Sequence, residues 1–142
     1  MADKEGDIVM SSWTAVVTCL ALVLYAALAV AVARARAKYN IPAPATTGHP
    51  FFERILRVQA NTSEQMLLFL PSLWLFSFYV SAGWASVLGV IWIAARIAYA
   101  AVYARDPERR LGSFAVGLGA TIALFLGAFL GSIAHLFRAG AG

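Results

Sequence analysis

Residues 52–80 read FERILRVQANTSEQMLLFLPSLWLFSFYV, a polar half that runs without a break into an apolar one. Two readings of the junction are open. In one, N-T-S-E is a helix start, with Asn61 as N-cap and Glu64 as the reciprocal member of a capping box. In the other, the junction lies inside a single helix. Phe51, Phe52, Ile55, Leu56 and Gln59 continue a helical spacing upstream of Asn61, and Pro50 offers an earlier first-turn position, which favours the continuous helix. Such a helix over residues 51–82 would be ~48 Å long and would project ~18 Å beyond a bilayer's hydrocarbon core. Its polar half then lies at the membrane interface.

The remainder of the chain supports a membrane setting. Of its 142 residues, 61% are hydrophobic and 13% charged, and the mean hydropathy is +0.76. Apolar stretches at 8–33, 66–82, 84–104 and 114–137 reach or approach the ~20 residues that cross a bilayer. The expected architecture is therefore all-α, one integral membrane four-helix bundle over 1–142, with helices at about 8–38, 51–82, 84–105 and 107–138. The acidic start, MADKEGD, lacks the positive region of a cleaved signal, so helix 1 is expected to remain in the mature protein.

Charge placement sets an expected orientation. Five of the eleven Lys and Arg fall in or beside the first connection (Arg34, Arg36, Lys38, Arg54, Arg57) and three in the third (Arg105, Arg109, Arg110). The positive-inside rule then puts both connections in the cytoplasm and both termini on the opposite side. These cations flank membrane spans and lack a soluble reading domain, which argues against nucleic acid as a partner. Cys19 stands alone and His49 and His135 lie far apart in sequence, so neither a disulfide nor a metal site is expected.

The first connection, NIPAPATTGHP, is rich in proline and should be ordered by turns. Around Ser81 the second is short enough to demand an antiparallel hairpin. Asp106, Pro107 and Glu108 carry the signature of a helix start. Helix 4 places small residues at Gly119, Ala123, Gly127 and Gly131, a ridge that serves packing within the bundle or between copies.

Two polar faces stand out. At 100° per residue, Arg54, Arg57, Asn61 and Glu64 fall within an arc of about 80°. On helix 3, Arg96, Tyr99 and Tyr103 also share a face. Arg96 lies near mid-span, where an unpaired arginine costs ~2.5 to 3.5 kcal/mol, so it should have a partner. Glu64, level with Tyr103, is the expected one, within a chain or between chains. The alternative is that the polar residues only satisfy one another inside the bundle.

Three motifs carry a resemblance: ATTG at 45–48, F-E-R-x-x-R-x-Q-x-N-x-x-E from Phe52 followed by F-L-x-x-L-W, and A-R-x-x-Y-x-x-x-Y-A-R from Ala95. Together with span order and loop lengths, they resemble the MAPEG family, the membrane-associated proteins of eicosanoid and glutathione metabolism. The R-V-Q-x-N-T-x-E-Q and D-P-x-x-R forms look most like its bacterial members of the microsomal glutathione transferase type.

The resemblance implies a homotrimer of four-helix subunits in the bacterial inner membrane, with glutathione between neighbouring subunits as co-substrate. Carried over residue by residue, it gives Arg36, Arg57, Gln59, Asn61, Glu64, Tyr99 and Tyr103 as glutathione contacts and Arg110 as the group that stabilises the thiolate. Arg54 and Arg96 are expected to support them. This set suits the ligand's chemistry: cations for two carboxylates, an acid for the ammonium and a positive group at sulfur. No metal is needed. Gln65 and Ala37 stand where the family's leukotriene-forming members carry a tyrosine and a second arginine, so detoxifying conjugation is the expected activity. The implied partners are a hydrophobic electrophile or lipid from the bilayer and the membrane lipids themselves, and peroxidase is a second activity. Rival readings are a non-catalytic lipid-binding scaffold of the same family and a small exporter.

Overall fold

The computed structural model describes residues 2–106 and 111–140. Over them the chain forms four helices: α1 (Ala2–Tyr39), α2 (Pro50–Tyr79), α3 (Ala82–Arg105) and α4 (Leu111–Gly140). No strand occurs among the described residues, so the fold is the expected all-α bundle. Central helices α2 and α3 each pack against all three others, and among the described residues α1 and α4 flank them without touching each other.

The junction at Asn61 is helix interior, because α2 runs unbroken through it. Its start is set upstream by His49, whose Nδ1 accepts the Phe51 backbone N–H at 3.2 Å, and by Pro50, whose missing N–H would have had no helical partner. Asn40 ends α1 in the left-handed region (φ 51°), and the Ile41 N–H returns to the Arg36 carbonyl at 3.0 Å. That is the bond pattern that closes a helix with one left-handed residue. The α2–α3 turn falls earlier than the sequence suggested, with α2 ending at Tyr79 instead of residue 82. Ser81 caps α3 through its Oγ, which accepts the Trp84 N–H at 3.4 Å, so Ala82 and Gly83 are already helical.

Asp106 closes α3, its N–H donating to the Val102 carbonyl at 2.8 Å. The expected start of helix 4 at Pro107 lies outside the described residues.

α2 buries Phe52, Ile55, Val58, Thr62, Met66, Phe69, Leu73 and Phe76, a stripe spaced three or four residues apart. Within it Phe69 stacks on Trp92 of α3, ring centroids 4.0 Å apart. The small-residue ridge of α4 divides in two. A methyl group on Gly127 would overlap the Phe76 ring, and one on Gly131 would come within 2.7 Å of Val80, so this half packs inside the chain. Gly119 and Ala123 are exposed instead.

α1 from Ser12, α3 and α4 are long and apolar enough to cross a membrane. α2 is not among them, because Glu53, Arg54, Arg57 and Glu64 occupy its first half and leave only the part from Met66 onward apolar. The outer surface is correspondingly greasy: Leu67 and Phe78 are each 80% exposed. Water would not tolerate apolar patches of that extent, whereas acyl chains or neighbouring subunits would.

Candidate functional site

A cavity of about 770 Å³ opens at the polar end of the bundle, between the first connection, the start of α2 and the end of α3. Thr46 and Thr47 of the ATTG motif, Glu53, Arg54 and Arg57 of α2, and Tyr103 of α3 supply its polar lining. Gly48 holds the motif in place. Its φ of 139° suits glycine, and its N–H donates to Glu53 Oε1 at 3.0 Å. The Tyr39 and His49 rings stack at 3.6 Å where the connection leaves α1 and enters α2.

Of the arginines at this end, Arg54 is committed to backbone, donating from Nε to the Pro50 carbonyl (3.2 Å) and from Nη1 to the Arg105 carbonyl (3.4 Å). Arg57 is different. It is exposed, lines the cavity and has no hydrogen-bond partner among the described residues, so its five donors are available to an anion.

Behind the cavity lies a network that ties α2 to α3. Asn61 Nδ2 donates to the Tyr99 hydroxyl at 2.7 Å. Tyr99 is 1% exposed, and its ring lies 5.4 Å from that of Tyr103 and 4.3 Å from the Arg96 guanidinium carbon. Arg96, also 1% exposed, donates from Nη2 to Thr62 Oγ1 at 2.9 Å. Thr62 in turn donates to the Val58 carbonyl at 2.8 Å.

Arg96 thus has partners, but Glu64 is not one of them within the chain. The helix explains the difference: Glu64 is two residues, or about 200°, around α2 from Thr62 and so lies on the opposite side of the helix from the Arg96 contact. Glu64 is exposed, and Gln59 is half-buried; neither lines the cavity.

Arg36 also departs from the simple expectation. Its Nη1 donates to the carbonyls of Ala45 (2.8 Å) and Pro42 (3.4 Å), and its guanidinium carbon lies 4.7 Å from the Phe52 ring centroid. In the single chain it fastens the first connection. Arg110 lies outside the described residues.

Sequence reasoning did not single out Thr62, Thr46, Thr47 or Glu53 as site residues. A signal for Thr62 existed, since it is one of two hydroxyls, with Ser72, among the otherwise apolar buried residues from Phe52 to Phe76. Among the described residues no group of three or more His, Cys, Asp or Glu is placed to hold a metal.

A small all-α membrane protein, with basic and aromatic side chains gathered around a cavity at one end of its bundle, is the class that these features define. The chain belongs to the MAPEG family, whose profile matches residues 13–130. It is 47% identical over 118 residues to an uncharacterized protein of Synechocystis, covering 83% of this chain and 86% of that one. It is also similar to bovine leukotriene C4 synthase, at 38% identity over 88% of this chain and 83% of the relative. Mouse microsomal glutathione S-transferase 2 is 38% identical over 85% of this chain and 82% of its own length.

Proposed function

We propose that this protein is a membrane-bound glutathione transferase that conjugates glutathione to hydrophobic electrophiles arriving through the bilayer, with glutathione peroxidase as a side activity. The observation that carries the reading is Arg57, without a hydrogen-bond partner among the described residues and facing a cavity of about 770 Å³ beside Tyr103 and two threonines. That volume is in the range of small-molecule sites, roughly 300–1,000 Å³. The kinship with a microsomal glutathione S-transferase supplies the ligand class.

On this reading Arg57 binds a glutathione carboxylate, with a bidentate guanidinium giving both energy and orientation. Tyr103 and the Asn61–Tyr99 pair fix the peptide backbone. Arg36 takes a second carboxylate only by exchanging a loop carbonyl for it. Neither Glu64, two turns beyond Arg57 on the same face, nor Gln59, on the far side of α2, lines the cavity of its own chain, so their proposed contacts call for a neighbouring copy, in keeping with a homotrimer whose sites lie between subunits.

The chemistry asked of Arg110 is modest. A free thiol near pKa 8.5 is mostly protonated at neutral pH, and lowering that value by ~2 units takes ~2.7 kcal/mol. A guanidinium at ~4 Å and an effective dielectric near 20 supplies ~4 kcal/mol. The thiolate sulfur then forms a bond to the electrophilic carbon as the leaving group departs with its electron pair. The reading places the enzyme in the bacterial inner membrane, with the first and third connections cytoplasmic and both termini on the opposite side.

Calorimetric titration of glutathione into the purified protein tests the proposal. Saturable binding that weakens on Arg57→Ala is expected, and no binding by the wild-type protein would refute it.

A further inference from the structure

A second, smaller cavity of about 250 Å³ lies on the outer face of α1, away from the one described above. Its floor is apolar, built from Ala27, Val30 and Ala31, with the exposed Phe51 ring at the start of α2 closing one side. Arg34 and Lys38, four residues apart and so on the same face of the helix, complete the lining. Both are exposed, and no acidic residue lines the cavity. The Lys38 ammonium lies 5.4 Å from the Tyr39 ring centroid. Arg34 has no hydrogen-bond or ion-pair partner among the described residues.

The gradient along this face matches one kind of occupant. From Ala27 to Lys38 the helix rises ~16 Å, passing from an apolar stretch to two cations at the end of the membrane-crossing segment. Small alanines leave a furrow for a hydrocarbon chain, and the two cations offer donors at the depth where a lipid phosphate sits. The cavity is too small to bury a drug-sized molecule such as a glutathione conjugate, since such sites start near 300 Å³. It does suit a phosphodiester whose acyl chains lie along the open helix. An uncharged or zwitterionic lipid would leave the net double positive charge uncompensated.

We infer that this groove is a binding site for an anionic phospholipid, with the phosphate held between Arg34 and Lys38 and an acyl chain laid over Ala27, Val30 and Ala31. Such a lipid would brace the end of α1 against the start of α2. The inference stands apart from the glutathione reading, because neither cation lines the larger cavity.

Native mass spectrometry of the full chain, released from nanodiscs of phosphatidylcholine with a minor fraction of phosphatidylglycerol, tests it. Wild-type protein should retain phosphatidylglycerol preferentially. Arg34→Gln should lower that retention about fivefold, and Arg34→Gln with Lys38→Gln roughly 25-fold, from the usual contribution of one basic side chain at a membrane surface. Arg34→Lys with Lys38→Arg should keep it. Arg105→Gln removes a cation at the same end of the bundle outside the groove and should change retention little. Thermal unfolding in phosphatidylcholine alone checks that every variant folds. Equal retention of the two lipids by the wild-type protein would overturn the proposal. So would an Arg105→Gln loss as large as that of Arg34→Gln.

Discussion

Asn61 donates its side-chain amide to the Tyr99 hydroxyl at 2.7 Å, and this bond joins α2 to α3 directly behind the cavity. Because the tyrosine oxygen is the acceptor, its own proton is not used in this bond. The same ring faces the Arg96 guanidinium, which is anchored on Thr62. One buried tyrosine is therefore held at its hydroxyl by a side chain of α2 and at its ring by one of α3.

Tyr99→Phe keeps the ring and removes the acceptor, leaving a partly buried amide unpaired. A loss of about 1 kcal/mol in subunit stability is expected. Asn61→Ala should cost a similar amount, and the double variant little more than either, because both changes delete the same bond. Thermal unfolding of the four proteins in one detergent measures the coupling, and strictly additive losses would show that the bond contributes nothing.

Arg96 is a buried charge with one hydrogen bond, to Thr62, while its Nε and Nη1 have none. Replacing such a charge by an apolar side chain of similar length often leaves stability unchanged or raises it. Arg96→Met should therefore fold, with a stability change within about 1 kcal/mol of zero. Glutathione affinity should still fall several-fold, because Tyr99 loses the cation over its ring, a contact worth ~0.5 to 2 kcal/mol. Unfolding and calorimetry on one preparation separate the two effects.

Much of the architecture was legible in the chain because period and length are local properties. The apolar stripe of α2 and the spacing upstream of Asn61 were enough to place the polar segment inside one long helix. What local pattern could not give was which polar groups meet across helices. Opposite charge alone pairs Arg96 with Glu64, whereas rotation about α2 brings Thr62 to the interface instead. Arg36 shows the same limit. Its sequence position marks a cation at the end of α1, but only the path of the proline-rich connection turns the Ala45 and Pro42 carbonyls towards it.

Gly127 and Gly119 predict opposite responses to the same change. A side chain at Gly127 would overlap the Phe76 ring, whereas nothing lies within 4 Å of a methyl group at Gly119. Gly127→Leu should destabilise the subunit by about 1–3 kcal/mol through overpacking. Gly119→Leu should leave its unfolding temperature unchanged. Parallel thermal scans at low protein concentration check the contrast.

Arg36→Gln should loosen the first connection, since one guanidinium holds two of its carbonyls. Limited proteolysis is expected to cut faster between residues 40 and 49 while the helices remain protected. A digestion pattern identical to that of the wild-type protein would mean that the turns of the connection suffice to order it.

Arg57 and Arg110 should leave different kinetic signatures, because the proposed chemistry uses them at different stages. Arg57, exposed in the cavity, would hold a carboxylate in ground state and transition state alike. Its loss then removes uniform binding, which raises KM for glutathione with little change in kcat. A charge-assisted hydrogen bond of ~1.5 to 3 kcal/mol makes that rise at least about tenfold. Arg110 would act on the sulfur, so Arg110→Ala should leave glutathione binding nearly intact and reduce conjugation of a chromogenic aryl halide at neutral pH. Raising the pH should restore much of that rate, since hydroxide then deprotonates the thiol that the arginine no longer acidifies. Stopped-flow and steady-state assays of both variants across pH measure these outcomes. If Arg110→Ala changed only KM, or if its rate did not recover in alkali, the thiolate role would pass to another group.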